Sequence, residues 1–242
     1  MIIDCHVHVK GGDLYKREFR PAQILKAMDE VGVDQSVIFS ICLPGRESNE
    51  LTRECYEAAP ERFIPFAHVV PDEGRGALDE LDRAVGEWGF RGLKMHRGEM
   101  QEADLSLLLP IAEKCVALNI PLLIDVGGSY ELSSGLAEGA PELKLIVAHF
   151  GAPHDEKGVD KHILMAQQYP NLHLDTSYCH VPWKMPEVCR RLRADKLLWG
   201  SDGPLIHPAI ELKKLELCGL SAEDYRKVTC DNLLRLLGPE RR

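Results

Sequence analysis

The sequence lacks the marks of several large protein classes. Eight cysteines stand at positions 5, 42, 55, 115, 179, 189, 218 and 230, with no Cys-x-x-Cys pair and no framework spacing. Reduced thiols in a cytoplasmic protein are therefore expected rather than a disulfide scaffold. Cys42 and Cys179, near expected strand ends, read as small apolar filler. No apolar run approaches a membrane span, and no basic leader precedes the first apolar run, so neither a span nor a signal peptide is expected. Basic residues are in deficit, 29 Lys and Arg against 38 Asp and Glu, a net charge of -9. That argues against nucleic acid or an anionic membrane as a general partner. There is no internal repeat, low-complexity tract or linker-like shift in composition, and one domain over residues 1–242 is the reading.

What is present is alternation. Short β-branched runs at Met1–Val7, Gln35–Phe39, Phe63–His68, Gly92–His96, Pro121–Val126, Leu143–Ala148, Leu172–Asp175 and Lys196–Gly200 read as strands. Amphipathic stretches follow them, at Pro21–Val31, Asn49–Ala59, Gly76–Trp88, Leu105–Leu118, Ser134–Ala140, a segment ending near Tyr169, and Pro186–Leu192. Two helices, Pro208–Leu217 and Ala222–Leu236, close the chain, the second behind a Ser221 cap. Eight strand–helix units in 242 residues predict an α/β fold, a distorted (β/α)8 TIM-like barrel. An open doubly wound sheet is the alternative, but no Gly-rich phosphate loop follows any strand.

In such a barrel, chemistry gathers at the carboxyl ends of the strands. Of ten histidines, His6, His8, His68, His96, His149, His154, His180 and His207 fall there or in the following loops; only His162 and His173 do not. On a strand, Asp4, His6 and His8 share one face, with Cys5 and Val7 on the other. Two imidazoles at one strand end can grip a single ion. His149 follows the sixth strand, Asp202 the eighth, and Asp125 ends the fifth. Each alone is as well explained by a capping role. Together with His6 and His8 they form a three-His, two-Asp set suited to a first-row divalent cation with an open water position.

The pieces Ile3-Asp-Cys-His-Val-His8, Arg91-Gly-Leu-Lys-Met-His96, Ile120-Pro-Leu-Leu-Ile-Asp125, Val147-Ala-His-Phe-Gly151, Asn171-Leu-His-Leu-Asp-Thr-Ser177 and Gly200-Ser-Asp-Gly-Pro204 occur in one order across nearly the whole chain. In this the sequence resembles the amidohydrolase superfamily, in particular the branch of metal-dependent decarboxylases, hydratases and lactone or amide hydrolases. The resemblance implies a distorted barrel with His6, His8, His149 and Asp202 as ligands. It departs at the fifth strand, where the family usually places histidine and this chain has Asp125. Three neutral histidines and two aspartates neutralise a divalent ion, which favours a harder metal such as manganese more than the usual set does. One divalent ion is expected, zinc first and manganese second.

Lys94 shares a strand face with His96 and has three readings: support for hydroxide or a substrate oxyanion, carboxylation to bridge two ions as in two-metal relatives, or a buried ion pair with Asp4 or Asp125. His96 is expected to touch substrate or orient a ligand, and His68 and His180 to contact substrate or line the site. Arg97 is the best carboxylate partner among the mouth cations Lys10, Arg17, Arg46 and Arg97. Tyr130, Tyr178 and Trp183 either wall an organic substrate or pack loops. The leading expectation is a mononuclear hydrolase of a small carboxylated lactone or amide. In it the ion and Asp202 activate water, Asp202 returning the proton to the leaving group, with Lys94 and His96 at the developing charge. A non-oxidative decarboxylase, a metal-free lactonase and a non-catalytic metabolite-binding barrel are the alternatives, and association into a homo-oligomer is left open.

Overall fold

The computed structural model describes residues 1–11, 17–101 and 104–239. Its strands are β1 (Ile3–His8), β2 (Gln35–Phe39), β3 (Phe63–His68), β4 (Gly92–His96), β5 (Pro121–Asp125), β6 (Lys144–Val147), β7 (Leu172–Asp175) and β8 (Leu197–Leu198). All neighbouring pairs are parallel and run in sequence order. Parallel neighbours need crossovers, which are supplied by α1 (Pro21–Asp29), α2 (Gly45–Ala58), α3 (Arg75–Gly86), α4 (Leu105–Ala117), α5 (Tyr130–Gly139), α6 (Glu156–Gln168) and α7 (Met185–Arg191). After β8 come α8 (Pro208–Glu216), α9 (Ala222–Arg226) and α10 (Asn232–Leu237). The expected (β/α)8 barrel is the observed fold. No helix among the described residues is long and apolar enough to cross a membrane.

Two apolar layers hold it. Ile3, Cys5, Val37, Phe39, Ile64, Phe66, Leu123, Ile146 and Leu198 fill the barrel, with Leu233, Leu236 and Leu237 of α10 packed on the same cluster. A larger shell, including Leu93, Leu122, Leu145, Leu174 and Trp199, meets the helices. Each strand is thus apolar on both faces, which is why it reads as a continuous hydrophobic run. Side-chain caps start several helices: Asp104 accepts from Ser106 N, Ser129 from Leu132 N and Asp155 from Lys157 N. Ser129 explains why α5 begins four residues before the amphipathic stretch.

Three details position the site. First, β1 carries a bulge: Asp4 pairs with Ser36 and Val7 with Ile38, so β1 uses three steps where β2 uses two. The simple alternation expected for residues 4–8 therefore fails. Cys5 joins the inner cluster, while the Asp4 carboxylate caps His6 N (3.1 Å) and Ser201 N (2.9 Å). Second, β8 is too short to close the barrel as a regular ladder. The seam is made by Cys5 N to Trp199 O (3.0 Å), Asp202 N to His6 O (2.8 Å) and His8 N to Gly203 O (2.8 Å). Third, the last helix is not continuous: Lys227–Asp231 forms a wider π turn. There Thr229 Oγ1 donates to Tyr225 O (2.8 Å), and the Val228 carbonyl accepts from Trp199 N (2.9 Å), tying the turn to β8.

Candidate metal centre and cavity

The outer nitrogens of two histidines are fixed first. His6 Nδ1 lies 2.6 Å from Asp175 Oδ2, and His149 Nδ1 lies 3.0 Å from the Ser177 carbonyl. Each Nδ1–H donates outward, so each Nε2 keeps its lone pair for the barrel axis. Asp175 Oδ1 accepts from Ser177 N (2.7 Å) and Oδ2 from Ser177 Oγ (2.8 Å), so one short segment after β7 orients both rings.

The inward atoms converge. Asp202 Oδ1 is 2.8 Å from His8 Nε2 and 3.2 Å from His6 Nε2. Asp125 Oδ2 is 3.6 Å from His149 Nε2 and 3.2 Å from His96 Nε2. Donors sharing an ion at about 2.1 Å lie roughly 3–3.5 Å apart, so the His6–His8–Asp202 group fits a cation. His8 Nδ1 is buried and has no hydrogen-bond partner among the described residues. The five residues singled out as ligands are thus brought together, with Asp125 on the His149 side.

Burial holds His6 well below the usual imidazole range, helped by the Lys94 charge, and pushes His8 down to about 4. Both are neutral at neutral pH, the form that can ligate a metal. Burial would raise Asp202, but its hydrogen bond to His8 and the nearby positive groups outweigh that and lower it. Asp125 is likewise lowered, as the His96 hydrogen bond and the His149 and Lys94 charges overcome burial. Both stay carboxylates. Asp175 is raised by burial.

Lys94 is fully buried, its Nζ 3.1 Å from His6 Nε2 and 5.1 Å from the Phe39 ring centroid. It makes no ion pair with Asp4 or Asp125. His96 is pinned: its Nδ1 accepts from Gly98 N (2.9 Å), which leaves Nε2–H to donate to Asp125.

A cavity of about 870 Å³ opens over this centre, bordered by His8, His96, Asp125, His149, Tyr178 and Asp202. Lys10 and Arg17 are also on its wall. Arg97 instead donates to the Met100 carbonyl (3.0 Å), and Arg46 pairs with Glu50 (3.1 Å). His180 sits exposed against Tyr178 (ring centroids 4.3 Å apart), Trp183 bonds Glu156, and Tyr130 lies under Lys161. His68 is buried behind the wall. Cys42, His149, Tyr178 and Asp202 border the cavity with positive φ, between 52° and 68°. A left-handed backbone costs a non-glycine residue about 1–3 kcal/mol, and such strain collects at functional rims.

Sequence reasoning missed Glu99, which borders the cavity from the turn after β4. It also gave no role to Asp175 and Ser177. Their signal was available, since a carboxylate ending β7 must meet its neighbours at the rim; for Glu99 no spacing marks it out.

A family model described as amidohydrolase matches residues 3–238. Comparison with curated proteins returns no match. Solved structures share the fold at low identity. One is a dihydroxybenzoic acid decarboxylase from Polaromonas sp. JS666 with bound manganese and 2-nitroresorcinol, at 18% identity, TM-score 0.74, covering 98% of this chain and 96% of that one. Another is a 4-oxalomesaconate hydratase from Rhodopseudomonas palustris, at 19% identity, TM-score 0.75, covering 98% and 95%. A third is a probable 2-pyrone-4,6-dicarboxylic acid hydrolase from Acinetobacter baumannii with citric acid bound, at 16% identity, TM-score 0.76, covering 98% of each chain.

Proposed function

The chain belongs to the amidohydrolase family, and from that premise we propose that it is a metal-dependent hydrolase opening a small carboxylated lactone or amide. The observation that carries the reading is Asp202: an ionised carboxylate on the cavity wall, 2.8 Å from one neutral ligand histidine and 3.2 Å from another. A divalent ion held by His6, His8, His149 and Asp202, with Asp125 beside His149, would supply Lewis acidity to the substrate carbonyl and to the attacking water. The donor set suits zinc, and its second carboxylate admits manganese.

The chain's own residues do the rest. Asp202 accepts the proton of the attacking water, as its lowered pKa allows near neutral pH. Asp175 and Ser177 keep His6 and His149 in the tautomers that face the ion. His96 holds Asp125 through Nε2–H. Lys94 places positive charge beside His6 where negative charge develops on the substrate. Lys10 and Arg17 bring to the wall the chemistry that recognises a substrate carboxylate.

The test begins with elemental analysis of protein purified without chelator. A panel comprising 2-pyrone-4,6-dicarboxylate, 4-oxalomesaconate and 2,6-dihydroxybenzoate is then assayed with and without added divalent ions. Ring opening that is lost on chelation and in Asp202→Asn is expected. Protein that takes up no ion and turns over nothing with any divalent metal would overturn the reading. A second reading, non-oxidative decarboxylation, is favoured by Asp125, whose carboxylate moves the donor set toward harder ions such as the manganese bound in the Polaromonas decarboxylase. Carbon dioxide release without ring opening identifies it.

A further inference from the structure

We propose that Glu99 and His68 share one proton on the cavity wall, and that Glu99 delivers it to the atom leaving the substrate; the delivery rests on the hydrolytic reading above. In the ring of eight strands, Glu99 follows β4 and Asp202 follows β8, so the two carboxylates face the cavity from opposite sides. With a base on one wall and an acid on the other, water can lose a proton on one side of the tetrahedral carbon while the leaving atom gains one on the other.

The shared proton follows from hydrogen-bond accounting. His68 ends β3 and is 1% exposed. Its backbone is clamped by Asn49, whose Oδ1 accepts from His68 N (2.6 Å) and whose Nδ2 donates to His68 O (3.0 Å). Its Nδ1 lies 3.1 Å from the Lys94 carbonyl, a partner that can only accept, so Nδ1 carries hydrogen. In a neutral ring Nε2 then holds a lone pair, and it faces Glu99 Oε2 at 3.2 Å. Both atoms are buried, and neither has another hydrogen-bond partner among the described residues. Two buried lone pairs at that distance repel unless a proton lies between them. Imidazolium with carboxylate and imidazole with carboxylic acid both satisfy this, and both leave the pair neutral.

Burial lowers the His68 pKa, against the opposing charge of Glu99, while the Lys94 and Glu73 charges act on it in opposite directions. The second oxygen, Glu99 Oε1, accepts from Cys42 N at the end of β2, where the backbone is left-handed. The carboxyl is thereby held at the cavity wall with its side chain 16% exposed.

The step balances. Water attacks the carbonyl carbon and gives one proton to Asp202. As the carbon–oxygen or carbon–nitrogen bond breaks, the Glu99 carboxyl turns its O–H from His68 Nε2 toward the cavity, the proton passes to the leaving atom and Glu99 becomes a carboxylate. Solvent then carries a proton from Asp202 back to Glu99, with one water consumed overall.

Glu99→Gln is the decisive variant. Its amide oxygen still accepts from Cys42 N and its amide N–H still donates to His68 Nε2, so the packing survives while the proton is lost. On whichever panel member turns over, kcat is expected to fall about 100-fold or more with KM nearly unchanged. The alkaline limb of the pH profile should disappear, and the deficit should vanish for an ester with a nitrophenolate leaving group, which needs no proton. An unchanged kcat and pH profile would overturn the delivery. The proton itself is read without turnover, by infrared spectroscopy for a protonated carboxyl absent from Glu99→Gln and by 15N-histidine resonances for a His68 imidazolium. Finding neither overturns the shared proton. Inactivity of the entire panel would count against the hydrolytic reading and leave the spectroscopic result standing.

Discussion

Asp175→Asn isolates the orientation of His6, one of the proposed ligands. Three donors converge on the Asp175 carboxylate: His6 Nδ1 at 2.6 Å, Ser177 Oγ at 2.8 Å and Ser177 N at 2.7 Å. Asparagine has one acceptor oxygen. If that oxygen stays on Ser177 N, the amide nitrogen faces His6 Nδ1 and drives the imidazole hydrogen to Nε2, the atom needed for the ion. If the amide turns over, its nitrogen opposes Ser177 N instead, and the local turn loosens. Losing an outer partner of this type weakens metal binding about 10–100-fold, equivalent to about 1.4–2.7 kcal/mol. The apo fold should change little, because burial already raises the Asp175 pKa and a neutral amide relieves a desolvated charge. The assay is competition for zinc and for manganese against a fluorescent chelator, with thermal unfolding of the metal-free forms as control. Ion affinity within twofold of wild type would show that His6 does not ligate through Nε2, and the geometry of the centre would have to be redrawn.

Other outcomes are equally concrete. Asp125→His should retain an ion but shift relative affinity from manganese toward zinc; unchanged affinities would place Asp125 outside the ligand set. In Gly200→Ala the new methyl would lie 2.8 Å from His6 Cβ, 3.0 Å from Asp175 Oδ1 and 3.1 Å from Cys5 Sγ. An overpacking cost of about 1–3 kcal/mol should appear as a melting point several degrees lower and as weaker ion binding, and a wild-type melting point would contradict it. His173, on the barrel-interior face of β7 beside Ile146, is pushed down to about 4 by burial and by Lys196 and Arg235. Its folded pKa lies below the unfolded 6.5, so the stability it contributes is present above pH 6.5 and is lost as pH falls toward 4. The shift corresponds to about 3 kcal/mol. Urea unfolding at pH 7 and pH 4.5 should show a loss of stability that is smaller in His173→Leu than in wild type by about that amount, because the other buried histidines remain in the variant.

Much of the architecture was legible because parallel strands buried on both faces leave unbroken apolar runs; β2, β3, β4 and β7 have the expected limits. The convergence of His6, His8, Asp125, His149 and Asp202 was legible because strand ends in such a barrel share one rim. What escaped was what depends on partners distant in sequence. The β1 bulge is set by pairing with β2, and the π turn at Lys227–Asp231 by a bond to Trp199, so neither leaves a periodic trace. Arg97 was expected at the substrate, but the tight turn through Glu99 brings the Met100 carbonyl within its reach. Glu99 itself could be singled out only once His68 was seen to lack a proton partner.

The seam of the barrel also bears on how the molecule is made. His6 and Asp202 meet both as neighbouring backbone segments and as proposed donors to one cation, yet 195 residues separate them. On the ribosome, His6 and His8 must wait until the segment carrying Asp202 has emerged before the proposed coordination sphere can be completed. Ion capture therefore reports on finished folding, and loading during refolding should lag behind the appearance of helical signal.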